Sequence, residues 1–225
     1  MEEHRIPFRI KELLREILSS EIRKTAQLEG YEGSWSRQRD MPLHDIIICT
    51  LAKKGLSAAM EVMQYFKAIG KEEQTISKQG YLQQRQKLNP EAFTMLNRNY
   101  FKRFYDGEEA ICWNGHLVLA VDGSRAEVPN SAENRKEYGV CTNLHGEAVA
   151  RANVNALYDV YNRFLINIVI GQYNTSEIEE AKAHIRSLKE TVGEKPVLIV
   201  FDRYYASMEF LDILEKAGIK YGLGH

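Results

Sequence analysis

The chain has 225 residues, with 30 Lys and Arg against 31 Asp and Glu, a formal net charge of −1 and 44% hydrophobic residues. This composition excludes collagen-like, low-complexity and disordered polymers. The apolar runs are far shorter than the roughly 20 residues of a membrane helix, so no membrane partner is expected. The N-terminal Met-Glu-Glu-His-Arg lacks the basic-then-apolar order of a secretory signal. Cys49, Cys112 and Cys141 are scattered and odd in number. They make neither a disulfide framework nor a metal knuckle and read as reduced, cytoplasmic thiols.

The first half has helical periodicity. Ile6, Ile10, Leu13, Leu14, Ile17 and Leu18 predict an amphipathic helix over residues 6–22. Gly30 to Ser34 reads as a loop. Pro42 opens a helix through Ile46, Ile47, Ile48 and Leu51 that Gly55 ends. Ser57 caps the next, through Val62, Met63 and Phe66, and Ser77 caps another through Tyr81, Leu82, Arg85 and Leu88. Asn89-Pro90-Glu91 restarts a helix carrying Phe93, Leu96, Tyr100, Phe101 and Phe104. Residues 1–110 therefore read as an all-α domain of about five helices.

The period then changes. Residues 117–121 form a buried-strand run, 148–158 alternate, and 164–170 make a third strand before Gly171. Ser176, followed by Glu177, Glu179 and Glu180, opens a helix to about Val192. Residues 197–201 form a fourth strand, Ser207 caps a helix that Gly218 ends, and 219–223 begin a fifth strand. Three closely linked strands suggest an antiparallel meander, and the helical crossovers suggest two strands added in parallel. The expected fold class is α+β: the helical domain, then a ribonuclease H-like mixed α/β domain over residues 111–225.

Asp122 directly follows the first apolar strand and Asp202 the fourth. If these strands are parallel neighbours, the two carboxylates meet at one sheet edge. Carboxylate oxygens suit Mg²⁺, and a pair of such ions supports phosphodiester displacement. Ser124, Arg125 and Arg203 stand beside the two acids. Residues 76–105 hold Lys78, Arg85, Lys87, Arg98, Lys102 and Arg103 against Glu91 alone, a local net charge of +5. A polyanion fits that stretch. The six histidines show no metal-ligand spacing, neither Ser124 nor Ser131 lies in a nucleophile elbow, and Asp159 reads as a turn residue near a strand end.

Leu119-Ala-Val-Asp122-Gly-Ser124 resembles the first catalytic block of the insertion-sequence DDE transposases. Ile199-Val-Phe-Asp202-Arg-Tyr-Tyr-Ala-Ser207, with Gly218-Ile-Lys-Tyr221 after it, resembles the second, an Asp-Arg-Gly-Tyr type motif in which Tyr204 takes the glycine position and narrows the site. Glu137-Tyr-Gly139, Ala150-Arg-Ala152 and Leu157-Tyr-Asp159 are similar to family positions between the blocks. Ser36-Arg-Gln-Arg39-Asp-Met-Pro42 and Arg85-Gln-Lys87-Leu-Asn-Pro-Glu-Ala-Phe93 resemble its N-terminal DNA-binding region. The likeness runs from about residue 34 to residue 225.

The resemblance implies a three-acid site binding two Mg²⁺ or Mn²⁺ ions, with Asp122 and Asp202 as the first two acids. The third, a glutamate of a late Tyr-Arg-Glu-Lys helix, has no counterpart before His225, so a C-terminally truncated transposase without cleavage activity of its own is expected. The implied reaction is phosphodiester hydrolysis at a transposon end by water, then attack of the freed 3′-hydroxyl on target DNA. The implied partner is double-stranded DNA, both terminal inverted repeats and target, contacted by Arg85, Lys87, Arg98, Lys102, Arg103, Arg125, Arg203 and Tyr205. A homodimer, or a heterodimer with a full-length transposase, is a further expected partner, in a bacterial cytoplasm and associated with the nucleoid. One alternative is a non-catalytic DNA-binding or dimerising fragment. Another is a self-sufficient ribonuclease H-like nuclease, which needs a third acid such as Asp159 or Glu127 beside the pair.

Overall fold

A computed structural model describes residues 5–224 apart from 32, 36–39, 75 and 108. The Ser36 to Arg39 stretch, His4 and His225 lie outside these described residues. The chain divides into two compact units, residues 1–100 and 101–225. No helix among the described residues is long and apolar enough to cross a membrane.

The first unit is helical. Its elements are α1 (Arg5–Ile17), α2 (Ser20–Thr25), α3 (Leu43–Leu51), α4 (Ala58–Ala68) and α5 (Lys78–Arg85), with α6 (Glu91–Asp106) running across the division. The single helix expected over 6–22 is two helices. Ser19 takes extended backbone and its side chain accepts from the Ile22 amide at 3.2 Å, so a cap outcompetes continuation. Ser57 and Ser77 cap α4 and α5 in the same way. Ile22, Met41, Ile46, Ile47, Val62, Phe66, Tyr81 and Leu96 form one buried cluster.

The second unit is a six-stranded mixed sheet with helices. It contains β1 (Leu117–Glu127), α7 (Ala132–Tyr138), β2 (Val140–Thr142), β3 (Ala148–Asp159), β4 (Phe164–Gln172), α8 (Glu177–Val192), β5 (Val197–Phe201), α9 (Met208–Lys216) and β6 (Lys220–Leu223). β3 pairs antiparallel with both β1 and β4, while β5 joins β1 and β6 joins β5 in parallel. This is the expected ribonuclease H-like arrangement, with α7 and the short β2 as additions that the sequence reading does not contain. Phe101 and Phe104 pack their rings on Phe164 at 5.1 and 4.9 Å, and the Tyr105 hydroxyl donates to buried Asp159 at 2.7 Å. The end of α6 thus belongs to the sheet unit, ten residues ahead of the boundary expected at 110/111.

Sheet alternation decides what is covered. Leu119, Val121, Leu157, Ile199 and Phe201 are buried on one face, with Ile185, Leu188 and Phe210 from the helices also buried. Tyr158, Leu165, Ile168, Ile170 and Val200 are exposed large apolar side chains on the strands.

Candidate active site

Strand register places the two aspartates. β1 and β5 pair in parallel from Leu117 opposite Val197 to Ala120 opposite Val200, a constant offset of 80. Asp122 and Asp202 differ by that same offset, so they fall on one rung, two positions past the last paired residues. Parallel strands lie about 4.8 Å apart, which brings the two carboxylates into one neighbourhood. Asp122 does not follow its strand, as expected from sequence, but lies inside it. β1 continues to Glu127 because β3 extends as far, pairing Glu127 with Arg151. Both carboxylates are exposed. Asp122 Oδ1 accepts from the Gly123 amide at 2.9 Å. Asp202 Oδ1 accepts from the Tyr204 amide at 3.2 Å and caps the 3₁₀ turn Arg203–Tyr205.

One more acid reaches β1. Glu177 opens α8, and its carboxylate lies against Gly123. A Cβ on that glycine would sit 2.7 Å from Glu177 Cδ. The Tyr205 hydroxyl is held far above its usual pKa, first by burial, although its bond from Asn155 opposes this. The charges of Glu177 and Asp122, and a bond to Glu177, add to the rise. The available signal was Gly123 itself, since a glycine beside a site acid in a strand marks close approach of another group. Ser176, Glu177, Ile178, Tyr204 and Tyr205 line a groove of about 300 Å³ beside the Asp202 turn.

Beneath lies a polar chain. His184 Nε2 donates to Asn155 Oδ1 at 3.1 Å, and Asn155 Nδ2 donates to the Tyr205 hydroxyl at 2.9 Å. Asn167 Nδ2 lies 3.2 Å from His184 Nδ1, which matches a neutral imidazole protonated on Nε2. Burial pushes the His184 pKa down to about 4, so the ring is neutral near pH 7.

The structure sorts the expected DNA contacts. Lys102 and Arg103 are exposed on the last turns of α6, and Arg98 and Lys87 are half-buried. Arg85 is half-buried, its guanidinium over the Tyr81 ring at 5.8 Å. Arg125 is exposed and stacks on Tyr173 at 4.8 Å, and Arg203 on Tyr204 at 5.7 Å. Tyr205 is a correction. It is 1% exposed and packs on Phe201 and Phe210, so a duplex has no access to it. Tyr204 is 79% exposed and walls the groove, and its φ is not positive, so the position makes no demand for glycine.

Neither reserve acid joins the pair. Asp159 pairs with Leu119, is fully buried, and accepts from Tyr105 and Asn162. Glu127 is five residues beyond Asp122, about 16 Å along a strand, and binds Arg151 at 2.8 Å. Among the described residues no group of three His, Cys, Asp or Glu is arranged to hold a metal ion.

Residues 113–225 match the family model described as the transposase DDE domain. The chain belongs to that family. The match spans half of the sequence and includes both Asp122 and Asp202. No curated protein matches the chain. Among solved structures, the chain is similar to a piggyBac transposase in a cryo-EM synaptic complex with hairpin DNA, at 12% identity and a TM-score of 0.40. That likeness covers 94% of this DDE transposase chain and 47% of the solved one.

Proposed function

We propose that this DDE transposase chain acts in DNA transposition, binding transposon ends and target duplex, with Asp122 and Asp202 as the acids of a divalent-metal site. The observation that supports the reading is the β1–β5 register, whose constant offset of 80 also relates the exposed Asp122 and Asp202, two positions past the last paired residues. Asp122 and Asp202 would be the residues to hold a divalent cation, as carboxylate oxygens suit such ions. Each has an Oδ1 bonded to a backbone amide and an Oδ2 with no partner among the described residues. This oxygen-only pair fits Mg²⁺ or Mn²⁺. When bound, such an ion activates water and stabilises the leaving oxygen in phosphodiester hydrolysis and in strand transfer by the 3′-hydroxyl.

The protein's own part is to hold charge and position. Asp122 and Asp202 provide the anionic oxygens. Arg125 and Arg203, each stacked on a tyrosine, stand beside them as phosphate contacts, with Arg85, Lys87, Arg98, Lys102 and Arg103 for the flanking duplex. Phosphate contacts set register and salt dependence. On this reading the chain binds ends and does not cleave them alone.

The test is binding and strand cleavage by the purified chain on duplex DNA with Mg²⁺ or Mn²⁺. Binding that weakens steeply with salt, without cleavage, is expected. Robust cleavage lost in Asp122→Ala overturns the inactivity, and no duplex binding at low salt overturns the DNA reading.

A further inference from the structure

α5 is unlike every other described α-helix of the chain. It carries no acidic residue, whereas each of the other α-helices has at least one. The absence extends over residues 74–90, a segment that holds Lys78, Arg85 and Lys87 and no Asp or Glu. Its two faces differ sharply. Tyr81 is completely buried and Gln84 is 9% exposed, which seats the helix in the core of the helical unit. Gln79, Gln83 and Gln86 are exposed at spacings of four and three, so they form one stripe. Together with Ser77, Lys78 and half-buried Leu82 they line a groove of about 540 Å³.

A row of glutamines is an unusual way to solvate a helix, because such faces usually mix charges of both signs. It is a good way to read bases. A glutamine amide offers one donor and one acceptor side by side, which matches N6 and N7 of adenine in the major groove, and an apolar side chain contacts the thymine methyl. The absence of acids removes repulsion from phosphates, and Lys78 at the helix start is placed to meet one. We infer that α5 is the base-reading helix of this chain, entering the major groove with Gln79, Gln83 and Gln86 toward adenines of A·T pairs and Leu82 toward a thymine methyl. The inference rests on the DNA-binding reading above and adds to it the residues that carry sequence preference.

The test selects binders from a random-sequence duplex library with the full 225-residue chain and sequences them. In parallel, affinity for an unselected duplex is measured by fluorescence anisotropy. The wild-type chain is expected to enrich a motif containing A·T pairs. Gln83→Ala should flatten preference at one position by about tenfold or more, and Gln79→Ala and Gln86→Ala at neighbouring positions, with affinity for the unselected duplex within about twofold. Gln83→Arg should move the preferred base at its position from adenine to guanine. Lys78→Ala should instead weaken binding to all sequences and lower the salt dependence by about one ion. All four side chains are exposed, and circular dichroism melts confirm that the variants fold. A motif unchanged in the glutamine variants overturns this inference and leaves DNA binding standing. So does duplex binding with no enriched motif. No duplex binding at any salt removes the DNA reading, and this inference with it.

Discussion

Gly123 and Glu177 compete for one small volume: a Cβ on the glycine would lie 2.7 Å from the glutamate Cδ and 2.9 Å from its Oε1. The same conflict recurs at Gly171, where a Cβ would meet Glu180 Oε1 at 2.4 Å. The outcomes of adding a methyl differ because the glutamates differ. Glu177 is exposed and swings away, whereas Glu180 is 3% exposed and holds Asn153 at 2.8 Å. Gly171→Ala should destabilise by about 1–3 kcal/mol, as overpacking does, and Gly123→Ala by clearly less. Urea denaturation of the two variants checks this, and equal losses would refute it.

His184 makes stability depend on pH. Its folded pKa of about 4 lies below the ordinary value of 6.5. Between those values the unfolded chain binds the extra proton, so stability rises with pH across that window and falls on acidification. The full span is roughly 3 kcal/mol. Thermal melts at pH 7 and below pH 5 should show this loss, and His184→Gln should lack that component. A His184→Gln variant with an unchanged pH profile would contradict it.

Glu180 acts in the opposite sense. Burial, then the charge of Glu177, raises its pKa, although the Asn153 bond opposes the shift. The folded state binds the extra proton, so this group costs stability as pH rises above the carboxylate range. Glu180→Gln should therefore melt higher than wild type at neutral pH, and the gain should vanish in acid where both forms are neutral. A variant that melts lower at pH 7 would show that the Asn153 bond outweighs the burial of charge.

The carboxylate pair predicts a metal response. Ions that bind the folded chain alone stabilise it by about 2.7 kcal/mol at a hundredfold excess over Kd. Mg²⁺ or Mn²⁺ should raise the melting temperature of the wild-type chain, and Asp122→Asn with Asp202→Asn together should abolish the rise. An equal rise in the double variant would place the ion elsewhere.

The exposed side chains Tyr158, Leu165, Ile168, Ile170 and Val200 predict self-association. Sedimentation velocity should show larger species at higher concentration, and Ile168→Lys with Ile170→Lys should reduce them. A wild-type chain that stays monomeric at all concentrations would rule this out.

Much of this was legible before folding. Serines 57, 77 and 207 announced their helices because a cap acts through its nearest amides, and the strand runs at 117–121 and 197–201 were plain in their apolar continuity. Both site aspartates stood out because each follows such a run. Local signals failed where two adjacent options were close in energy, as at Ser19, where a cap broke one expected helix into two.

Only tertiary structure decided the rest. The length of β1 beyond Asp122 depends on its partner β3, eighty residues of register bring Asp122 to Asp202, and the seating of Tyr205 and Arg85 depends on which face the core claims. Glu177 came to Gly123 from 54 positions away in sequence through the packing of α8. The residue types and their local periods were set by the chain, but pairing and burial are long-range, and no local pattern encodes which strand or helix will supply the neighbour.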